Sequence, residues 1–128
     1  MSTWRRKLFE EFPEFGHAVE TWELGDAASQ LDVMLEGATR AERTADIARI
    51  VKFLLWSDAQ VKSDEQFVYF VQRVLSTTVR QGALLRSFVG RLDESKFGKL
   101  AQYIEYNTSP TVVLEAAETV RLETRRRH

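Results

Sequence analysis

Residues 40–57, RAERTADIARIVKFLLWS, and residues 64–79, DEQFVYFVQRVLSTTV, decide the reading of this chain. In the first, Ile47, Ile50, Val51, Leu54 and Leu55 recur at the spacing of one helical face. Phe67, Phe70, Val71, Val74 and Leu75 do the same in the second. Thr39 with Glu42, and Ser63 with Gln66, have capping-box spacing and open the two predicted helices. The connection Asp58 to Lys62 is short, so the two are expected to pack as antiparallel neighbours.

The same period extends outward. Trp4, Leu8 and Phe12 predict a helix from Thr3 to Phe12, ended by Pro13, which disfavours helical geometry at the residue before it. Glu14 to Glu23 reads as a short helix. Asp26 to Glu36 reads as a further one, with Asp26 as N-cap and Gly37 as its stop. Downstream, Leu84, Leu85, Phe88 and Leu92 mark a helix over 81–92. Phe97, Leu100, Ala101 and Ile104 mark one over 94–106. Ser109 is placed to cap a last helix with Pro110 at its first position and Arg125, Arg126 and Arg127 at its end, where cations complement the helix dipole. Neither an Asn-Gly or Asp-Gly hairpin signal nor a long alternating run competes. The expectation is an all-α single domain over 1–128, six to seven helices forming a bundle or stacked antiparallel hairpins.

Composition supports this and narrows the chemistry. At 128 residues, 44% hydrophobic and 29% charged, the chain is of ordinary globular composition and long enough to bury a core unaided. A net charge of -1 supplies no global field for nucleic acid or anionic lipid. Without cysteine there are no disulfides, thiolate nucleophiles or zinc–sulfur sites. Met1 to Phe12 starts basic but carries no apolar run of signal-peptide length, and no stretch reaches the roughly 18 apolar residues of a membrane span, so the expected location is the cytoplasm.

Catalytic patterns are sparse. His17 and His128 stand alone, outside any zinc-binding spacing. Asp58, Asp64 and Glu65 lack the alternating oxygen ligands and central glycine of a calcium loop and read as a solvated loop and helix cap. Glu10, Glu11 and Glu14 read as the wet side of the first helix. The Arg5-Arg6-Lys7 and Arg125–Arg127 clusters read as solvated helix ends, with phosphate contact as the alternative. No phosphate loop or serine-nucleophile signature occurs. The expectation is a non-enzymatic chain with no cofactor and no metal.

One helical face stands out. Arg49, Lys52, Phe53 and Trp56 fall at i, i+3, i+4 and i+7 and share a side roughly opposite the apolar stripe. Large aromatics beside cations are the composition of a binding hot spot. Either this face is exposed and meets a protein partner or a second copy of the chain, or the helix is central and buries both sides while its cations reach to water. Tyr69, beside Gln72, Arg73 and Ser76 on the polar face of the next helix, would extend such a patch if it adjoined Phe53 and Trp56.

Glu10-Glu-Phe-Pro-Glu-Phe15, and again the run from Arg49 to Leu75 with Ile50-Val-Lys-Phe-Leu-Leu55 and Phe67-Val-Tyr-Phe-Val71, resemble a group of small bacterial all-helical domains of unknown function. The resemblance covers about residues 8 to 92. It implies a binding role, since some such proteins act as partners or immunity factors for toxins, and it carries over no catalytic residue. The alternative function is an enzyme or small-ligand binder with a pocket between helices, for which Asp58, Asp64 or His17 would be the polar groups.

Overall fold

The computed structural model describes residues 1–127, and among these the chain is all-helical. Seven α-helices follow one another: α1 (Thr3–Glu11), α2 (Leu24–Arg40), α3 (Thr44–Gln60), α4 (Gln66–Val79), α5 (Gly82–Val89), α6 (Glu94–Asn107) and α7 (Pro110–Arg127). A 3-10 segment, Pro13–Thr21, links α1 to α2 and is broken at Gly16, whose φ of 65° and ψ of -157° only glycine adopts readily.

Local chemistry explains the boundaries, including those that differ from the sequence expectation. Phe12, held before Pro13 at φ -131° and ψ 66°, ends α1. Asp26 is not the N-cap of α2. That position belongs to Glu23, and Asp26 sits at the third helical position, its carboxylate accepting from the Glu23 N–H at 2.9 Å. Gly37 does not stop α2, which runs on through Arg40 and buries Thr39 within it. The true stop is a Schellman arrangement: the Arg43 N–H donates to the Ala38 carbonyl at 2.8 Å and the Glu42 N–H to the Thr39 carbonyl at 3.3 Å. It puts Glu42 at φ 56°, so α3 begins only at Thr44 and the Thr39–Glu42 capping box does not form. Ser63 likewise does not cap α4: the N-cap position is Glu65, and just before it the Asp64 carboxylate accepts from the Gln66 N–H at 3.0 Å. The Asp93 carboxylate caps α6 through the Lys96 N–H at 2.8 Å, and the Ser109 hydroxyl caps α7 through the Val112 N–H at 3.2 Å.

Helix α4 is the hub, packing against α2, α3, α5 and α6, while α7 closes over α5 and α6. Its inward residues Val71, Val74 and Leu75 are fully enclosed, as are Leu31 and Leu35 of α2, Ile50 and Leu54 of α3, and Leu100 and Ile104 of α6. The N-terminal α1 and 3-10 segment lean on α3, with Leu8, Phe12 and Val19 fully enclosed. Among the described residues no helix is long and apolar enough to cross a membrane.

Candidate binding surface

The α3 face singled out in the sequence is turned toward the N-terminal segment. Phe53 has no exposed surface; its ring lies 6.4 Å from Phe12 and 5.7 Å from Phe70, both edge-on. It is core, and no partner can reach it in the folded chain. Trp56 is half-buried, its ring 5.5 Å from Phe53 and edge-on to Phe67 at 5.7 Å. Helix α3 buries both sides because α4 covers one and α1 with the 3-10 segment covers the other.

The cations of that face have internal partners. Arg49 forks onto the two Glu14 carboxylate oxygens at 2.9 and 2.6 Å, reaches Asp46 at 2.8 Å, and donates to the Glu11 carbonyl at 2.9 Å. Its guanidinium also lies 4.8 Å above the Phe12 ring. The hydrogen bonds from Arg49 hold the Glu14 and Asp46 carboxyls below their ordinary range, and the Glu14 bond in turn holds Arg49 above its own. Lys52 pairs with Glu11 at 2.9 Å. Thus Arg49, Lys52 and Phe53 fasten the N-terminal segment while Trp56 packs toward α4, and of the two readings the sequence left open, burial holds for Phe53.

The other groups weighed from sequence are similarly engaged. Asp58 accepts from the Tyr103 hydroxyl, and burial, followed by this bond, pushes the phenol above its usual range. Asp64 accepts from the Gln66 N–H, as above. His17 is 91% exposed, with Glu20 at 3.6 Å. Arg5 donates twice to the Trp22 carbonyl, at 2.9 and 2.6 Å, and Arg126 pairs with Glu123 at 2.9 Å. His128 lies outside the described residues.

Tyr69 is placed differently. It is 66% exposed on the outer side of α4, whereas Phe53 is enclosed, so the two do not share an exposed patch. Its companion is Tyr106 of α6, 65% exposed. The two flank a groove of about 500 Å³ whose walls include Gln72, Arg73, Arg80 and Asn107. Asn107 fixes α6 to α4 here, donating to the Gln72 carbonyl at 2.9 Å. Arg73 is steadied by the buried Asp32 carboxylate, which also accepts from the Thr77 hydroxyl at 2.9 Å. Among the described residues Arg80 makes no ion pair and no carboxylate lines the groove. Tyr69 and Arg73 also form one wall of a second concavity of about 270 Å³, floored by Leu24, Ala28 and Phe70. Sequence reading missed Tyr106, although it falls opposite the Phe97/Leu100/Ile104 stripe and was therefore legible as an outward aromatic.

Compared with protein-family models, curated proteins and solved structures, the chain finds no match. The likeness carried by Glu10–Phe15 and Arg49–Leu75 is thus a reading of those residues alone.

Proposed function

We propose that this chain is a non-enzymatic protein-binding module that meets its partner through the outer face of α4 and the end of α6. One observation carries the reading: two tyrosines, Tyr69 and Tyr106, stand about two-thirds exposed on either side of a groove walled by Arg73 and Arg80. Tyrosine and arginine are the residue types that dominate binding hot spots, because each brings large contact area together with an orientable polar tip. The groove carries cations and no lining carboxylate, so the fitting partner presents an acidic segment with apolar side chains. This reading moves the contact from Arg49, Lys52, Phe53 and Trp56 to Tyr69 and its neighbours. An immunity-factor-like role, in which the partner is a toxin domain, is one form of it.

The test compares capture of proteins from source-cell lysate by wild type, by the Tyr69→Ala/Tyr106→Ala double variant, and by Arg80→Glu. A partner retained by wild type should be lost from both variants, at a cost of about 2 kcal/mol or more, roughly thirtyfold in affinity. Both variants should keep the wild-type helical spectrum and melting point. Sedimentation of the purified chain separates a second copy from a different protein as the occupant. Capture unchanged in both variants would overturn the assignment.

A further inference from the structure

We propose that the segment taken by the α4 groove is an amphipathic helix with two carboxylates one heptad apart, laid along α4 and braced by Tyr106. This rests on the protein-binding reading of the groove and names the form of the partner that fits it.

One stripe of α4 makes the long wall of the groove. Tyr69, Arg73, Ser76 and Arg80 stand at i, i+4, i+7 and i+11 and share a helical face. Arg80 follows the last turn of α4 and keeps its helical conformation, at φ -79° and ψ -11°. The helical rise therefore sets Tyr69 and Arg80 roughly 16 Å apart along the axis, and Arg73 and Arg80 roughly 10 Å apart. Tyr69, Arg73 and Arg80 are all exposed along this length, and Tyr106 stands exposed on the α6 side.

The two arginines play different parts. Arg73 is anchored from behind, its Nη1 donating to the buried Asp32 carboxylate and to the Ser76 hydroxyl at 3.2 Å. Its charge is answered within the chain, yet its side chain stays 49% exposed and so offers a positioned hydrogen-bonding group. Arg80 supplies the charge that no lining residue answers.

Main-chain chemistry selects a helix as the occupant. An extended peptide docks where a strand edge returns its backbone hydrogen bonds. Here both walls are helices, which bond their own main chain, and no strand occurs among the described residues. The Asn107 amide is already spent on the Gln72 and Tyr103 carbonyls, at 2.9 and 3.1 Å. A helical segment brings its backbone bonds with it and asks only for side-chain contacts. Carboxylates at i and i+7 of such a helix repeat the Arg73–Arg80 interval. Residues at i+3 and i+4 fall between them on the same face, where apolar side chains meet the tyrosine rings.

Titration of the full chain with synthetic capped peptides, followed by amide chemical shifts, tests the assignment. The probe is an alanine-based peptide of about 16 residues, long enough to hold a helix, with Glu at i and i+7 and Leu at i+3 and i+4. It should bind saturably, shift amides of residues 69–80 and 103–107, and weaken as salt is added. Moving the second Glu two positions on, to the far side of the helix, should weaken binding about tenfold, as should a central proline. A hydrocarbon staple on the far side should tighten it several-fold by preorganisation. Arg80→Gln should lose about tenfold and erase most of the difference between the in-phase and out-of-phase peptides. Equal binding of the proline peptide, or of the out-of-phase peptide, would overturn the helix and leave an acidic partner standing. So would absent binding, or shifts mapping elsewhere, if lysate capture still depends on Tyr69 and Tyr106. Tighter binding of an oligothymidylate at the same residues would overturn both readings.

Discussion

Arg49 holds both carboxylate oxygens of Glu14, a residue 35 positions earlier in the chain, at 2.9 and 2.6 Å. A fork of this geometry is directional as well as attractive. It fixes how the 3-10 segment meets α3, while Phe12 stacks beneath the same guanidinium.

Acid should weaken this fastening. Glu14 and Asp46 titrate below their ordinary values of 4.5 and 3.8 when folded, because Arg49 hydrogen-bonds their ionised forms. The folded chain therefore binds fewer protons than the unfolded chain in this range. Their contribution to stability is complete above about pH 4.5 and is lost as the pH falls through the lowered folded values. Urea midpoints measured from pH 7 to pH 3 should fall along this course, and Glu14→Gln should flatten the slope. Glu14 is half-exposed, so solvent screening keeps the effect modest.

Leu54 and Phe70 lie in the enclosed seam of α3 and α4 at 0% and 3% exposure. Leu54→Ala should cost about 2–5 kcal/mol and Phe70→Ala about 3–5 kcal/mol, since each leaves a cavity in close-packed surroundings. Urea titration gives both values.

Trp56→Ala separates fastening from contact. With its ring against Phe53 and Phe67, Trp56 should behave as a packing residue, and its loss should cost about 2–4 kcal/mol of folding stability. Partner capture per folded molecule should stay at the wild-type level, because Tyr69 and Tyr106 are untouched. A stable Trp56→Ala that fails to bind would return the contact to α3.

Glu42→Gly should stabilise the chain. Glu42 occupies the left-handed position of the α2 stop at φ 56°, where a side chain costs about 1–2 kcal/mol and glycine costs none. After the added freedom of glycine in the unfolded chain, a net gain of about 0.5–1 kcal/mol is expected, read as a higher urea midpoint.

The fold was legible because its signals are local. The Phe67/Phe70/Val74 and Phe97/Leu100/Ile104 stripes each point inward as their spacing requires. Boundaries went astray where a weak local signal met a stronger one: Gly37 reads as a stop, yet α2 packs along α3, α4 and α5 and carries past it. The direction of the Arg49–Trp56 face was not legible. Whether Phe53 meets water depends on where Phe12 and Glu14 land, and no helical period within 40–57 encodes that.

Helix α1 packs on the 3-10 segment and on α3, and Glu14 ties the 3-10 segment to Arg49, whereas α4 is gripped by four helices. The first 22 residues are therefore expected to open before α2 to α7 do. In native-state hydrogen exchange their amides should open at lower free energy than those of α4. Protonating Glu14 should widen that gap, making the N-terminal clasp the first part of the molecule to become accessible to a protease.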